Sequence, residues 1–148
     1  MNILVTGHLG YIGVHLVDVL QQAGHKVTGC DIGLFSGCEW EPFAKPDVEL
    51  LQDVRRLSAE ELAGHDAVCH LAALSNDPMG EIDQELTLQV NRDASFELAQ
   101  KAKQAGIPRF LFSGSCSIYG AGDKLDLEET DPLNPLTAYA RSKLETEE

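Results

Sequence analysis

Three glycines, at positions 7, 10 and 13, stand where an apolar run, Ile3-Leu4-Val5, gives way to a helical spacing of apolar residues. Those residues are Ile12, Leu16, Val19 and Leu20, and the pattern stops at Ala23-Gly24. The run reads as a short buried strand and the spacing as an amphipathic helix. A strand that turns straight into a helix through residues without side chains is a narrow constraint. A Cβ at such a bend would hold a ligand off the backbone, and the first helical amides point outward, unpaired and partly positive. The stretch Val5-Thr6-Gly7-His8-Leu9-Gly10-Tyr11-Ile12-Gly13 therefore suits a dinucleotide pyrophosphate. The alternative is a tight turn that binds nothing. The strand before it, the helix after it and an acid closing the next strand weigh against that alternative.

Alternation continues along the chain. Strand one covers Asn2 to Thr6, and a helix runs from Tyr11 to Ala23. Lys26 to Asp31 reads as strand two, and Gly33 to Pro46 as a loop. Val48 to Leu51 is a third strand, Ser58 to Leu62 a short helix with a capping-box start, and Ala67 to Leu71 a fourth strand. After a polar turn at Ser75 to Gly80, one long helix is expected to reach Ala105, with Leu86, Val90, Ala94, Leu98 and Ala102 on its buried face. Arg109 to Ser113 reads as strand five, followed by a loop rich in Gly, Asp and Pro and a last helix from about Thr137. Such alternation implies an α/β fold, a parallel sheet covered on both faces through right-handed crossovers.

At 148 residues, 43% hydrophobic and 24% charged, the chain has the bulk of one globular domain. A net charge of -13 argues against nucleic acid and anionic membrane as partners. It leaves an anionic cofactor open, because local amide dipoles hold phosphates. There is no apolar run of membrane-spanning length and no basic-then-apolar leader pattern; the expectation of a cytoplasmic protein comes from the cysteines. Cys30, Cys38, Cys69 and Cys116 lack close pairing and read as reduced thiols, with no metal site.

Two further signals carry chemistry. Asp31 closes strand two at about the distance from the glycine turn where a carboxylate meets the adenosine ribose. It would accept from free ribose hydroxyls and repel a 2′-phosphate. Ile32 to Ser36 supply no basic residue to offset that repulsion, so NAD is favoured over NADP. On the last helix, Tyr139 and Lys143 are four residues apart and share a face. A free phenol has a pKa near ~10, and an adjacent ammonium favours the phenolate. The pair can therefore present a general base. An amphipathic surface pair is the ordinary alternative. Ser115, just past strand five at the ligand-binding edge of such sheets, can share a substrate oxygen with Tyr139.

With these residues in view, the chain resembles the extended short-chain dehydrogenases/reductases, and within them the NAD-dependent epimerase/dehydratase group that acts on nucleotide sugars. The matching positions are Thr6-Gly7-x-x-Gly10-x-x-Gly13, Asp31, Asp53-Val54, His70-Leu71-Ala72-Ala73, Asn91, and the trio Ser115, Tyr139 and Lys143. The resemblance implies a Rossmann-like doubly wound sheet of strand order 3-2-1-4-5. It implies NAD held by Gly7, Leu9, Gly10, Tyr11, Ile12 and Gly13, with Asp31 on the ribose and Asp53 and Val54 on the adenine. Leu71, Ala72 and Ala73 lie along the cofactor, Tyr139 and Lys143 meet the nicotinamide side, and Asn91 braces the central sheet. Tyr139 is then the base that takes a proton from a sugar hydroxyl, Lys143 lowers its pKa, and Ser115 bonds the reacting oxygen.

Departures from the group narrow the expectation. The residues after Ser115 are Cys116 and Ser117 where a sugar dehydratase carries an Asp-Glu pair, which ranks epimerisation or dehydrogenation above 4,6-dehydration. His8 replaces a small residue in the turn and reads as a bystander, with phosphate contact as the alternative. Ser75 and Ile32 stand where some epimerases have Lys and Asn. Relatives are about twice as long, with a carboxyl-terminal substrate domain. The expectation is thus the amino-terminal NAD-binding part of a nucleotide-sugar enzyme, weak or inactive alone, with a non-catalytic NAD-binding module as the alternative. Homodimerisation through the long helices also follows from the resemblance.

Overall fold

In the computed structural model, which describes residues 1–38, 42–121 and 126–148, five strands lie parallel in one sheet. They are Asn2–Thr6 (β1), Lys26–Asp31 (β2), Val48–Leu51 (β3), Ala67–His70 (β4) and Phe110–Phe112 (β5), in the order β3-β2-β1-β4-β5. Helices flank the strands in the Rossmann-like α/β arrangement. The loop readings over Gly33 to Pro46 and after Ser113 fall partly on residues 39–41 and 122–125, outside the described residues.

The chain divides into two compact units, each described by itself. The first comprises Met1–Ala72 and Glu97–Ser113, the second Ala73–Phe96 and Gly114–Glu148.

The first unit holds the whole sheet. Strand alternation sends Ile3 and Val5 to one face, where they form a core with Val27, Ala67 and Val17 of the helix Tyr11–Gln22 (α1). Leu16, Leu20, Cys69 and Leu71 pack around it. The buried stripe of α1 runs through Gly13 and Val17, while Ile12 and Val19, which carried the sequence pattern, are each 59% exposed. The phase is set by Gly13: its bare face turns inward because the helix starts in contact with the glycine turn. The 3-10 turn Val54–Arg56 and the short helix Ala59–Leu62 (α2) follow β3. The predicted capping box forms, with Glu61 N donating to Ser58 Oγ and Ser58 N donating to Glu61 Oε2.

In the second unit the expected single long helix is interrupted. A first helix, Asp77–Ile82 (α3), is capped by Asn76, whose side chain accepts from Met79 N. Asp83 then leaves helical geometry and caps a new helix, Gln84–Leu88 (α4), by accepting from Leu86 N at 2.9 Å. A short carboxylate that bonds a nearby amide competes with continued helix. A π turn, Gln89–Asp93, follows before the helix Ala94–Gln104 (α5) begins. The extra residue changes the phase. The buried line before α5 passes through Thr87 and Asn91, whereas Leu86 is 40% exposed and Val90 half-buried. Ala94, Leu98 and Ala102 are buried as expected. The unit ends with the 3-10 turn Cys116–Tyr119 and the helix Ala138–Glu147 (α6), capped by Thr137.

Candidate functional site

The glycine turn belongs to the first unit. Gly7 has φ +73°, in the left-handed region, and a Cβ there would stand 2.7 Å from Ala72 N and 2.9 Å from Leu71 C. A Cβ on Gly13 would overlap Gly7 O and lie 2.6 Å from His8 Cα. Gly10 N donates to Gly7 O at 3.0 Å, and Gly10 caps α1 without a side-chain hydrogen bond. The first turn of α1, with Tyr11 and Ile12 exposed, thus presents its amides at a bend stripped of side chains. That geometry fits a diphosphate: a cradle that added Cβ atoms would fill, at a helix start with no competing acceptor of its own.

Asp31 is tied into the same turn. Its Oδ2 accepts from Leu9 N at 3.0 Å and its Oδ1 from Gly33 N at 2.9 Å. Thr6 Oγ1 lies 2.6 Å from His70 Nδ1 and accepts from Ala72 N at 3.3 Å, which fixes the end of β4, where Leu71 and Ala72 lie. Asp53 caps the 3-10 turn and accepts from the Arg55 guanidinium on both oxygens. That contact holds its carboxyl below the usual range. Val54 is buried. Sequence reasoning missed Arg55 as the partner of Asp53, although the spacing of two is visible.

His8 is neither a phosphate ligand nor a loop bystander. It is 1% exposed, with its ring against Gly29 and Nε2 3.1 Å from Glu49 Oε1. The absence of a side chain at Gly29 on β2 is what admits the imidazole.

Ser115, Tyr139 and Lys143, together with Ala73, belong to the second unit. Lys143 is 4% exposed and its Nζ sits 5.7 Å from the centre of the Tyr139 ring. Burial pushes the ammonium down to about 8 from 10.5, and the charge of Glu147 acts in the opposite direction. Ser115 caps the 3-10 turn that packs on α6, and its Oγ lies 2.8 Å from Ser117 Oγ.

The second unit fixes the orientation of α6 at several points. Asn91, in the π turn, accepts from Leu74 N at 2.8 Å and donates to Leu74 O and to Ser142 Oγ, each at 3.2 Å. Ser142 donates to Tyr139 O at 2.7 Å. Thr137 donates to Asp77, and Ala138 N donates to Glu81 at 2.7 Å. The brace from Asn91 therefore runs to the Leu74 loop and to α6, where the resemblance had it on the sheet. Ser142 and Glu81 went unnoticed in the sequence, and Asp77 was read there only as part of a capping turn before the long helix. Ser142 lies inside the Tyr139–Lys143 stretch, but its role depends on Asn91, which is 51 residues away.

Residues 3–148 match the family model described as the NAD dependent epimerase/dehydratase family. A UDP-glucose 4-epimerase of Rhizobium meliloti (strain 1021) is 33% identical over 148 residues, covering 96% of this chain and 44% of that protein. Among solved structures, an NAD-dependent NDP-hexosamine 5,6-dehydratase involved in tunicamycin biosynthesis superposes with a TM-score of 0.88 at 30% identity, covering 99% of this chain and 48% of that one. A protein solved with UDP-glucose and NAD gives a TM-score of 0.86 at 31% identity, covering 99% and 47%. The chain thus spans about half the length of the relatives it matches.

Proposed function

Since this chain belongs to the NAD-dependent epimerase/dehydratase family, we propose that it carries the cofactor-binding and proton-transfer residues of a nucleotide-sugar oxidoreductase of that type. The observation that carries the reading is Lys143, buried beside the Tyr139 ring one turn along α6. Burying an ammonium is costly, and a module that only bound NAD would not need the Tyr139 phenol beside it. This weighs against the alternative of a non-catalytic NAD-binding module.

Gly7, Gly10 and Gly13, with the amides of Tyr11 and Ile12, hold the diphosphate of NAD, and Leu9 lines the same turn with its amide on Asp31. Asp31 takes the adenosine ribose, and Asp53 and Val54 border the adenine. Leu71, Ala72 and Ala73 line the cofactor, and Tyr139 and Lys143 serve its nicotinamide ribose. Bound NAD supplies the hydride acceptor and donor. Tyr139 takes the proton from a sugar hydroxyl as hydride leaves the same carbon. The Lys143 ammonium favours the phenolate, and Ser115 hydrogen-bonds the reacting oxygen. Cys116 and Ser117, side by side on the 3-10 turn, offer no carboxylic acid for loss of water, so epimerisation or dehydrogenation ranks above 4,6-dehydration.

We place selection of the sugar and nucleotide outside this NAD-binding portion, a homodimer contact on the long helices, and the protein in the cytoplasm, a reducing compartment that suits its four free thiols.

Calorimetry with the 148-residue chain tests the cofactor: NAD is expected to bind more tightly than NADP, and the reverse order overturns the role of Asp31. Turnover is tested by joining the chain to the carboxyl-terminal half of the Rhizobium epimerase, with UDP-glucose as substrate. Tyr139→Phe should then cut the rate by about a thousandfold, with a far smaller change in NAD affinity. Equal rates for the two forms would remove Tyr139 from the proton-transfer role.

A further inference from the structure

Tyr139, Lys143 and Glu147 recur every four residues, so the three side chains share one face of α6. Glu147 has a specific seat. Its Oε1 lies where a Cβ on Gly114 would be, and its Cδ is 3.5 Å from that point. Gly114 has no left-handed backbone that would demand glycine, so what its missing side chain provides is room for this carboxylate. Gly114 directly precedes Ser115. The last acid of the stripe is therefore packed against the segment that presents the serine of the trio.

The charge balance around Lys143 favours the same residue. Burial acts against the ammonium and the Glu147 carboxylate acts for it. Ionisable groups on the elements packed against α6 have other partners. Asp77 accepts from Thr137 and Glu81 from Ala138 N. Asp83 caps α4 and Glu85 accepts from Gln89. Arg92 joins Asp93 and Glu145, and Arg141 donates to Gln84. Cys116 and Tyr119 are the ionisable residues of the 3-10 turn.

We propose that Glu147 is a positioning residue for the Tyr139–Lys143 pair, the counter-ion of the Lys143 ammonium, seated by the bare backbone of Gly114. The inference rests on the reading of Tyr139 and Lys143 as the proton-transfer pair. It adds a fourth group, which acts through Lys143.

The test is a titration of the Lys143 side chain in the isotopically labelled 148-residue chain, followed by NMR, which needs no turnover. In Glu147→Gln the midpoint of Lys143 should fall by roughly half a pH unit. Gly114→Ala, which expels the carboxylate while keeping its charge, should lower it in the same direction. Glu145→Gln removes an equal charge from the same helix and should leave the midpoint in place. A Glu147→Gln midpoint equal to that of the unmodified chain overturns the proposal, and so does an equal shift in Glu145→Gln. An unmoved midpoint in Gly114→Ala overturns the seat. Failure of the parent reading would appear elsewhere, as full turnover in Tyr139→Phe.

Discussion

The glycine turn and α6 solve opposite problems. In the turn the groups we propose to hold the cofactor are backbone amides, and the sequence contributes by leaving side chains out. The close approaches that open the cradle, Gly13 to Gly7 O and Gly7 to Ala72 N, are also the contacts that dock α1 and the end of β4. Stability and binding therefore draw on the same packing. In α6 the proposed working groups are side chains, and one of them, Lys143, is held charged in a buried position that opposes folding. The first region should fail when atoms are added. The second should lose activity, yet gain stability, when its polar atoms are removed.

The largest effect is expected from Gly13→Ala. Its Cβ meets the backbone of Gly7 and His8, with no flexible side chain to yield, so overpacking should cost about 3 kcal/mol and lower NAD affinity by calorimetry roughly a hundredfold. Gly10→Ala provides the internal scale. Its Cβ would stand 3.2 Å from Gly7 O, a contact that small shifts relieve, and its cost should stay under about 1 kcal/mol. Equal damage at the two positions would break the claim that bare backbone space is what matters.

Lys143→Met probes the other region. The folded-state pKa lies at about 8, below the ordinary 10.5. Between these values the unfolded chain binds more protons than the folded one, so stability rises with pH across that window. Below pH 8 both states are protonated and the cost of the buried charge is present in full, at most about 3 kcal/mol. Lys143→Met should therefore raise the urea midpoint at pH 7 and flatten the rise between pH 8 and pH 10.5, while turnover is lost. A lowered midpoint at pH 7 would show that the ammonium stabilises α6 after all. Next in size is Asn91→Ala, which takes the side-chain partner from Leu74 N and O and one of two hydrogen bonds from Ser142 Oγ and should cost about 2 kcal/mol by denaturant titration.

The same contrast explains what could be read from the sequence. The limits of β1, β2 and β3 are those expected: Gly7 ends β1, Gly24 and Gly33 bracket β2, and Pro46 stands just before β3. The turn was legible for the same reason: an absent side chain is visible in a sequence. The pairing of Tyr139 with Lys143 followed from helical period alone. What stayed hidden depends on long-range partners. His8 is buried because Gly29, 21 residues on, makes space for its ring. The π turn at Gln89–Asp93 arises where Asn91 satisfies the Leu74 loop and α6 together, and no local pattern announces it. The outward rotation of Ile12 and Val19 follows from Gly13, whose contact with the turn overrides the apolar periodicity.

Asp31 is the exception within the backbone-driven region, and it gives the smallest of these effects. One of its oxygens accepts from Leu9 N, inside the turn, and the other from Gly33 N, at the end of β2. An ionised carboxylate has about four lone-pair sites, so capacity remains for ribose hydroxyls after both amides are served. Asp31→Ser removes the negative charge that opposes a 2′-phosphate and leaves Leu9 N with a weaker partner. NAD affinity should fall and the preference over NADP should narrow by about tenfold, or about 1.4 kcal/mol, in paired calorimetric titrations. Asp31→Asn, which retains one carbonyl acceptor, should fall between. If the preference survives intact in Asp31→Ser, charge plays no part in excluding the 2′-phosphate. Cofactor choice would then reside in the backbone shape of the turn, and this half of the molecule would depend on no side chain for its specificity.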